Sequence, residues 1–219
     1  LISVRRPGEG VNRISQRLAV RSTSLPVADG RRWEDMHDGA SYSKMVADSV
    51  EYVDNAIESR GHLLGTNGEE GSFTQRVFLM EDLPLIVLQF EIQLLKPLIA
   101  SPFQNYAACR FAWHENEMPD LLRSLNLQSI VTERWRFTAP HFIEVRPESL
   151  RMQRSPAQIF SLGLPWHVRS GEHMLDTMLP CDEQKSGVTT MGLGIGLENP
   201  SDVAMSLMAN ASEIMAKTC

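Results

Sequence analysis

The chain has 219 residues, of which 42% are hydrophobic, 22% charged and 7% aromatic, which is the composition of a globular protein with one domain or two small ones. Its most apolar stretch, residues 83–100, is interrupted by Gln89, Glu91, Gln93 and Lys96, which excludes a membrane-spanning helix there. The net charge of −6 is divided unevenly along the chain.

The first 32 residues are rich in arginine. They carry seven arginines against Glu9 and Asp29, a net charge of +5, so the rest of the chain sums to −11. Because this segment shows neither a helical period nor a sustained alternation, we predict an extended arm of residues 1–32 preceding a single α+β domain of residues 33–219. A cationic arm favours phosphate or an acidic surface. The candidate contacts in the arm are Arg5, Arg6, Arg13, Arg17, Arg21, Arg31 and Arg32.

A helix is predicted over residues 40–60. Its apolar positions recur at intervals of three and four residues, and acidic residues occupy the other face. Asp38 or Ser41 is a suitable N-cap and Gly61 ends the pattern. The glycine-rich residues 65–72 are predicted to form a turn. The apolar positions are Tyr42, Met45, Val46, Val50, Val53 and Ile57.

The middle of the chain, about residues 73–146, predicts a central antiparallel sheet. Strict alternation over residues 88–94 is the clearest strand pattern, and residues 75–80 are expected to pair with it as a hairpin. Residues 130–138 and 141–146 predict two more strands. Residues 106–113 fit a strand or a helix equally well, and residues 119–127 predict a short helix.

The final third predicts a second packing helix over residues 200–217. Asn199 is a good N-cap, and Pro200 is favoured in a first helical turn. Upstream, Gly192, Gly194 and Gly196 alternate with aliphatic residues, which favours a strand. A dinucleotide-binding turn would need its third glycine where Leu197 stands. The apolar stripe of the helix consists of Val203, Leu207, Met208, Ala211, Ile214 and Met215.

No motif defines a reaction, so no catalytic residue and no cofactor is predicted. Two sets of residues could be tested as metal ligands, but neither has the closely spaced ligand pairs of a zinc site, and we predict no metal. Glu115 and Glu117 beside His114 are expected to lie in a solvated loop. The two sets are Cys109, His114 and Glu117, and His167, His173 and Cys181.

Arg134 and Arg136 alternate with Trp135 and Phe137. On an exposed strand, such residues could bind single-stranded bases by stacking. The alternative, which we favour, places both rings in the core and both arginines in solvent. Arg134 and Arg136 therefore join the arm arginines as candidate contacts with nucleic acid or neighbouring subunits.

Three classes of function fit these features. The leading hypothesis is a structural subunit of a large assembly, coat-like or nucleocapsid-like and homo-oligomeric, whose arm contacts nucleic acid or other subunits. The first alternative is an accessory subunit of an organellar complex. The second is a small-molecule enzyme or carrier with a pocket between the sheet and the C-terminal helix, lined by His114, Glu117, His141 and His167. Three cysteines are too few for a disulfide scaffold, so we expect a reducing compartment or a virus particle.

Overall fold

The computed structural model describes residues 2–5, 10, 12–24, 39–80, 85–98, 103–114, 119–126, 128–147, 156–180 and 187–195. These residues form sixteen strands and no helix. They therefore contain no helix that is long and apolar enough to cross a membrane. The prediction of an α+β fold is wrong, because the described part of the chain is entirely β.

The smaller sheet has the order β1-β2-β8-β15-β14-β11, and β3 also pairs with β2. All of its pairings are antiparallel. Its strands are β1 (Ile2–Val4), β2 (Ile14–Ser22), β3 (Ser41–Tyr42), β8 (Tyr106–Ala112), β11 (Arg136–Thr138), β14 (Trp166–Gly171) and β15 (Met174–Leu179).

The larger sheet has the order β10-β9-β12-β13-β16-β7-β6-β5-β4 and is also antiparallel throughout. Its strands are β4 (Lys44–Val53), β5 (Ala56–Gly65), β6 (Gly68–Leu79), β7 (Leu85–Leu94), β9 (Pro119–Leu125), β10 (Gln128–Val131), β12 (Phe142–Pro147), β13 (Ala157–Phe160) and β16 (Gly187–Ile195).

The two sheets pack face to face as a sandwich. Their main core joins Ile14 and Leu18 of the smaller sheet to Leu63, Phe73 and other residues of the larger one. Polar contacts also cross the sandwich. The side-chain amides of Gln16 and Gln75 bond to each other at 3.3 and 3.2 Å, which satisfies both groups inside the core.

The arm prediction is wrong for residues 14–22. They form β2, a buried strand between β8 on one side and β1 and β3 on the other. Every second side chain over residues 14–20 of this strand is buried, as strand alternation requires. One of these inward positions, between Ile14 and Leu18, is the polar Gln16, so the apolar pattern is interrupted. Its partner Gln75 lies 59 residues away, so the sequence gives no local sign that a glutamine here is buried.

The helix predicted over residues 40–60 is also wrong. The segment forms the β4–β5 hairpin, which turns at Asp54 and Asn55 with φ of 48° and 60°. Left-handed values at both central residues are those of a type I′ turn, which Asp and Asn tolerate better than most residues. Gly61, predicted to end a helix, lies inside β5, where a Cβ would collide with the main-chain oxygen of Val46.

The middle of the chain forms strands, as predicted for most of its segments. The alternation over residues 88–94 belongs to β7, which pairs with β6 as expected. Residues 106–113, left open between strand and helix, contain β8. Residues 119–127 are not a helix but contain β9, and residues 130–138 are split between β10 and β11. The predicted helix over residues 200–217 lies outside the described residues.

Candidate interaction surfaces

One face of β4, β5 and β6 packs against the smaller sheet at one end and faces solvent at the other. Near the start of β4, Met45 lies opposite Leu63, and its sulfur accepts a hydrogen bond from the Leu18 amide. Toward the turn, the same face carries four apolar side chains, which we call the hairpin patch. They are Val50, Tyr52, Ile57 and Leu79, exposed by 64, 73, 51 and 73% respectively.

The hairpin patch is continuous across three strands. Tyr52 lies opposite Ile57, and Ile57 lies opposite Val77 of β6. Leu79 follows Val77 by two residues and so shares its face. The neighbouring strand residues on this face are uncharged. They are positions 50, 52, 57 and 59 of the hairpin and positions 73, 75, 77 and 79 of β6. A contiguous exposed apolar patch of this kind is typical of an interaction site.

The opposite face of β4, β5 and β6 carries ion pairs beside a β-bulge in β4. The pairing steps from Ala47 to Ser49, which leaves Asp48 as the extra residue. Asp48 Oδ2 lies 2.9 Å from His62 Nε2, and Glu69 Oε1 lies 2.8 Å from His62 Nδ1. The hydrogen bond that His62 donates to Glu69 is the main cause that raises the pKa of His62. The protonated imidazole can donate to both carboxylates, which ties β4, β5 and β6 together on this face.

The outer face of the smaller sheet carries a row of arginines. In register across five strands stand Arg17 of β2, Arg110 of β8, Asp176 of β15, Val168 of β14 and Arg136 of β11. We call this line of residues the arginine row. Burial, followed by the charge of Arg110, lowers the pKa of Arg17.

The centre of the arginine row is a buried, neutralised network. Arg110 Nε lies 2.9 Å from Asp176 Oδ1, and the Tyr42 and Tyr106 hydroxyls donate to Asp176 Oδ2 at 3.0 and 2.9 Å. Ser170 Oγ donates to Oδ1 at 3.0 Å. Burial, and then the charge of Asp176, raises the pKa of Tyr106 well above its usual value, so this hydroxyl stays protonated. The Arg110 guanidinium also lies 3.3 Å from the centre of the Tyr42 ring.

An aromatic cluster lies beside the β11 end of the arginine row. The Phe103 ring packs edge-on against Trp166 and Trp135, with centroids 5.9 and 6.4 Å away. The Arg136 guanidinium lies 5.0 Å from the Phe103 ring centre and 5.2 Å from that of Trp135. Trp135 is buried, whereas Trp166 is 50% exposed. Trp166 therefore offers an exposed indole surface at the edge of the cluster.

The arginines predicted as contacts have different surroundings. Arg5 and Arg134 are exposed, Arg17 and Arg136 are half-buried, and Arg13 and Arg21 are buried. Arg21 donates to the main-chain oxygens of Phe103 and Gln104. Arg6, Arg31 and Arg32 lie outside the described residues. Of the predicted set, the structure brings Arg17, Arg21 and Arg136 to one sheet face.

The histidines proposed to line a pocket are dispersed. His167 is buried in the core, where it bonds to Thr177 Oγ1 at 3.0 Å and to the Ala139 oxygen at 3.1 Å. Burial lowers its pKa to about 4. His114 and His141 are half-buried, and Glu117 and its neighbour Glu115 lie outside the described residues. Within the described ranges no cluster of His, Cys, Asp or Glu could hold a metal ion.

Among the described residues, the remaining candidate groups are Cys109 and the lining of a surface cavity. Cys109 is fully buried, which raises the pKa of its thiol and keeps it unreactive, while Cys181 and Cys219 lie outside the described residues. A cavity of about 470 Å³ lies between the β5–β6 turn and the chain after β7, with Glu69, Glu70 and Lys96 among its lining residues. It contains none of the predicted pocket residues.

The sequence patterns missed both surfaces. Val50 and Ile57 were assigned to a buried helical stripe, but both are exposed. The usable signal was the Asp54-Asn55 pair flanked by β-branched residues, which is typical of a hairpin. Trp166 and Phe103 meet only through tertiary structure, so no local pattern could have joined them.

No protein-family model matches the chain, and no curated protein resembles it significantly.

Proposed function

We propose that the protein is a structural subunit of a large assembly, coat-like or nucleocapsid-like, in which copies contact one another through the hairpin patch. The observation that carries this proposal is the exposure of Val50, Tyr52, Ile57 and Leu79 on a face that elsewhere forms the sandwich core. Sandwiches of two antiparallel sheets serve coat subunits among many other proteins, so the fold alone supports no function.

A second copy is the partner that best fits the patch. Its apolar surface would gain about 25 cal/mol for each Å² removed from water. The strand residues around it are uncharged, so two patches can meet without burying an unpaired charge. The same patch on both copies also satisfies the two-fold symmetry that is commonest in homo-oligomers.

The proposed contact is the hairpin patch rather than the arm of residues 1–32 expected from the sequence, because residues 14–22 of that segment belong to the smaller sheet.

The test compares wild type, Val50→Asp and Val46→Asp by size-exclusion chromatography with light scattering over a range of concentrations. Val46 lies on the opposite face of the same strand and is 40% exposed, so it is a matched control. We expect a concentration-dependent oligomer in wild type and Val46→Asp. In Val50→Asp, the dissociation constant should rise by about tenfold or more, because a carboxylate would be buried without a partner.

Two results would overturn the proposal. One is a wild-type chain that keeps the mass of a single chain at all concentrations. The other is an equal effect of both substitutions, because that would place the contact elsewhere on the hairpin or outside it.

A further inference from the structure

We propose that the outer face of the smaller sheet binds single-stranded nucleic acid, with Trp166 stacking on a base and Arg17 and Arg136 contacting phosphates. This inference does not rest on the proposed assembly. The hairpin patch belongs to the larger sheet, whereas the arginine row lies on the outer face of the smaller sheet.

The charge of this face favours a polyanion. Its strand residues include four arginines, Arg17, Arg21, Arg110 and Arg136, against the single carboxylate of Asp176. The whole chain, in contrast, has a net charge of −6. A local excess of guanidinium groups on an acidic protein directs a polyanion to this face.

The arrangement of the arginine row suits an extended strand. The Arg110–Asp176 pair neutralises its centre, and the half-buried Arg17 and Arg136 lie at its two ends. Four strand spacings separate β2 from β11, which places the two ends roughly 19 Å apart. A single strand that passes over the side chains covering the buried centre, such as the Tyr42 ring on Arg110, could therefore contact both arginines.

The aromatic cluster distinguishes nucleic acid from an acidic peptide. The exposed Trp166 indole is held edge-on by Phe103, which also contacts the Arg136 guanidinium. Every base has a flat π surface that stacks on such a ring, whereas carboxylate side chains gain nothing from it. Adjacent guanidinium and indole groups can thus bind the phosphate and the base of one nucleotide.

The experiment measures binding of a labelled single-stranded oligonucleotide of about 15 nucleotides by fluorescence anisotropy, at low and at high salt. The variants are Trp166→Leu, which keeps an apolar contact for Phe103, and Arg17→Gln. Arg60→Gln is the control, since Arg60 is an exposed arginine of the larger sheet. A cooperative urea unfolding transition verifies that each variant folds.

We expect Trp166→Leu to weaken binding about tenfold. Arg17→Gln should also weaken it and reduce the slope of log affinity against log salt by about 0.7, the loss of one phosphate contact. Arg60→Gln should bind like wild type. The proposal is overturned by absence of binding at low salt, by equal losses in all three variants, or by a polyglutamate peptide that binds as tightly as the oligonucleotide.

Discussion

At the scale of single residues, the buried carboxylate of Asp176 on the outer face of the smaller sheet is matched with several partners. Asp176 accepts hydrogen bonds from two tyrosines and a serine in addition to its ion pair with Arg110. A buried carboxylate without such partners would be costly, so the network specifies how β3, β8, β14 and β15 meet. Residue type alone could not predict it, because the hydroxyl of Tyr42 comes from 134 positions away along the chain.

His167 predicts a specific dependence of stability on pH. Its pKa is about 4 in the fold, against 6.5 for an ordinary histidine. Between pH 6.5 and pH 4, His167 is protonated in the unfolded chain but stays neutral in the folded chain. The free energy of unfolding should therefore fall by about 3 kcal/mol over this range. Above pH 6.5, His167 is neutral in both states, and its contribution to stability is fully present. Urea unfolding of wild type and His167→Gln between neutral and acid pH measures it.

Subtracting the free energy of unfolding of His167→Gln from that of wild type at each pH removes the contribution of the carboxylates, which both proteins share. His167→Gln should be less stable at neutral pH, since it loses hydrogen bonds of the imidazole, and should lose less stability on acidification. Parallel pH profiles for the two proteins would show that His167 is not buried as described.

At the scale of elements, strands of strict alternation were predictable, and strands with irregular faces were not. β7 was found because Leu88, Phe90 and Ile92 alternate with polar residues and all three are buried. β4 was mistaken for a helix because its bulge at Asp48 reverses the faces, so that Val46 and Val50 point to opposite sides. A bulge is set by pairing with the neighbouring strand, and local periodicity therefore cannot reveal it.

Gly61 tests the hairpin directly. A Cβ at this position would collide with the main chain of Val46 and Ala47 in the neighbouring β4. Gly61→Ala should therefore lower the free energy of unfolding by about 1–3 kcal/mol, as overpacking does elsewhere. Gly10→Ala is the matched control, because a Cβ at Gly10 meets nothing within 4 Å. Urea denaturation of both variants measures the effect, and equal midpoints would contradict the close approach of β4 and β5.

At the scale of the whole molecule, the sequence predicted the antiparallel sheet but not the second sheet that covers it. The smaller sheet combines β2 near the N-terminus with β8, β14 and β15, and such pairings over long separations leave no local pattern. The charge asymmetry predicted an extended basic arm, but Arg17 and Arg21 of that segment lie in β2, on the outer face of the smaller sheet. Net charge carries no information about fold, so it could not place these arginines.

Hydrogen–deuterium exchange of the wild-type chain at low and high protein concentration tests self-association through the hairpin patch most directly. We predict that amides of β4 and β5 exchange more slowly at high concentration, because a second copy covers them, while those of β8 in the sandwich interior are unchanged. Exchange in the hairpin that is independent of concentration, or protection confined to the smaller sheet, would contradict self-association through the hairpin patch.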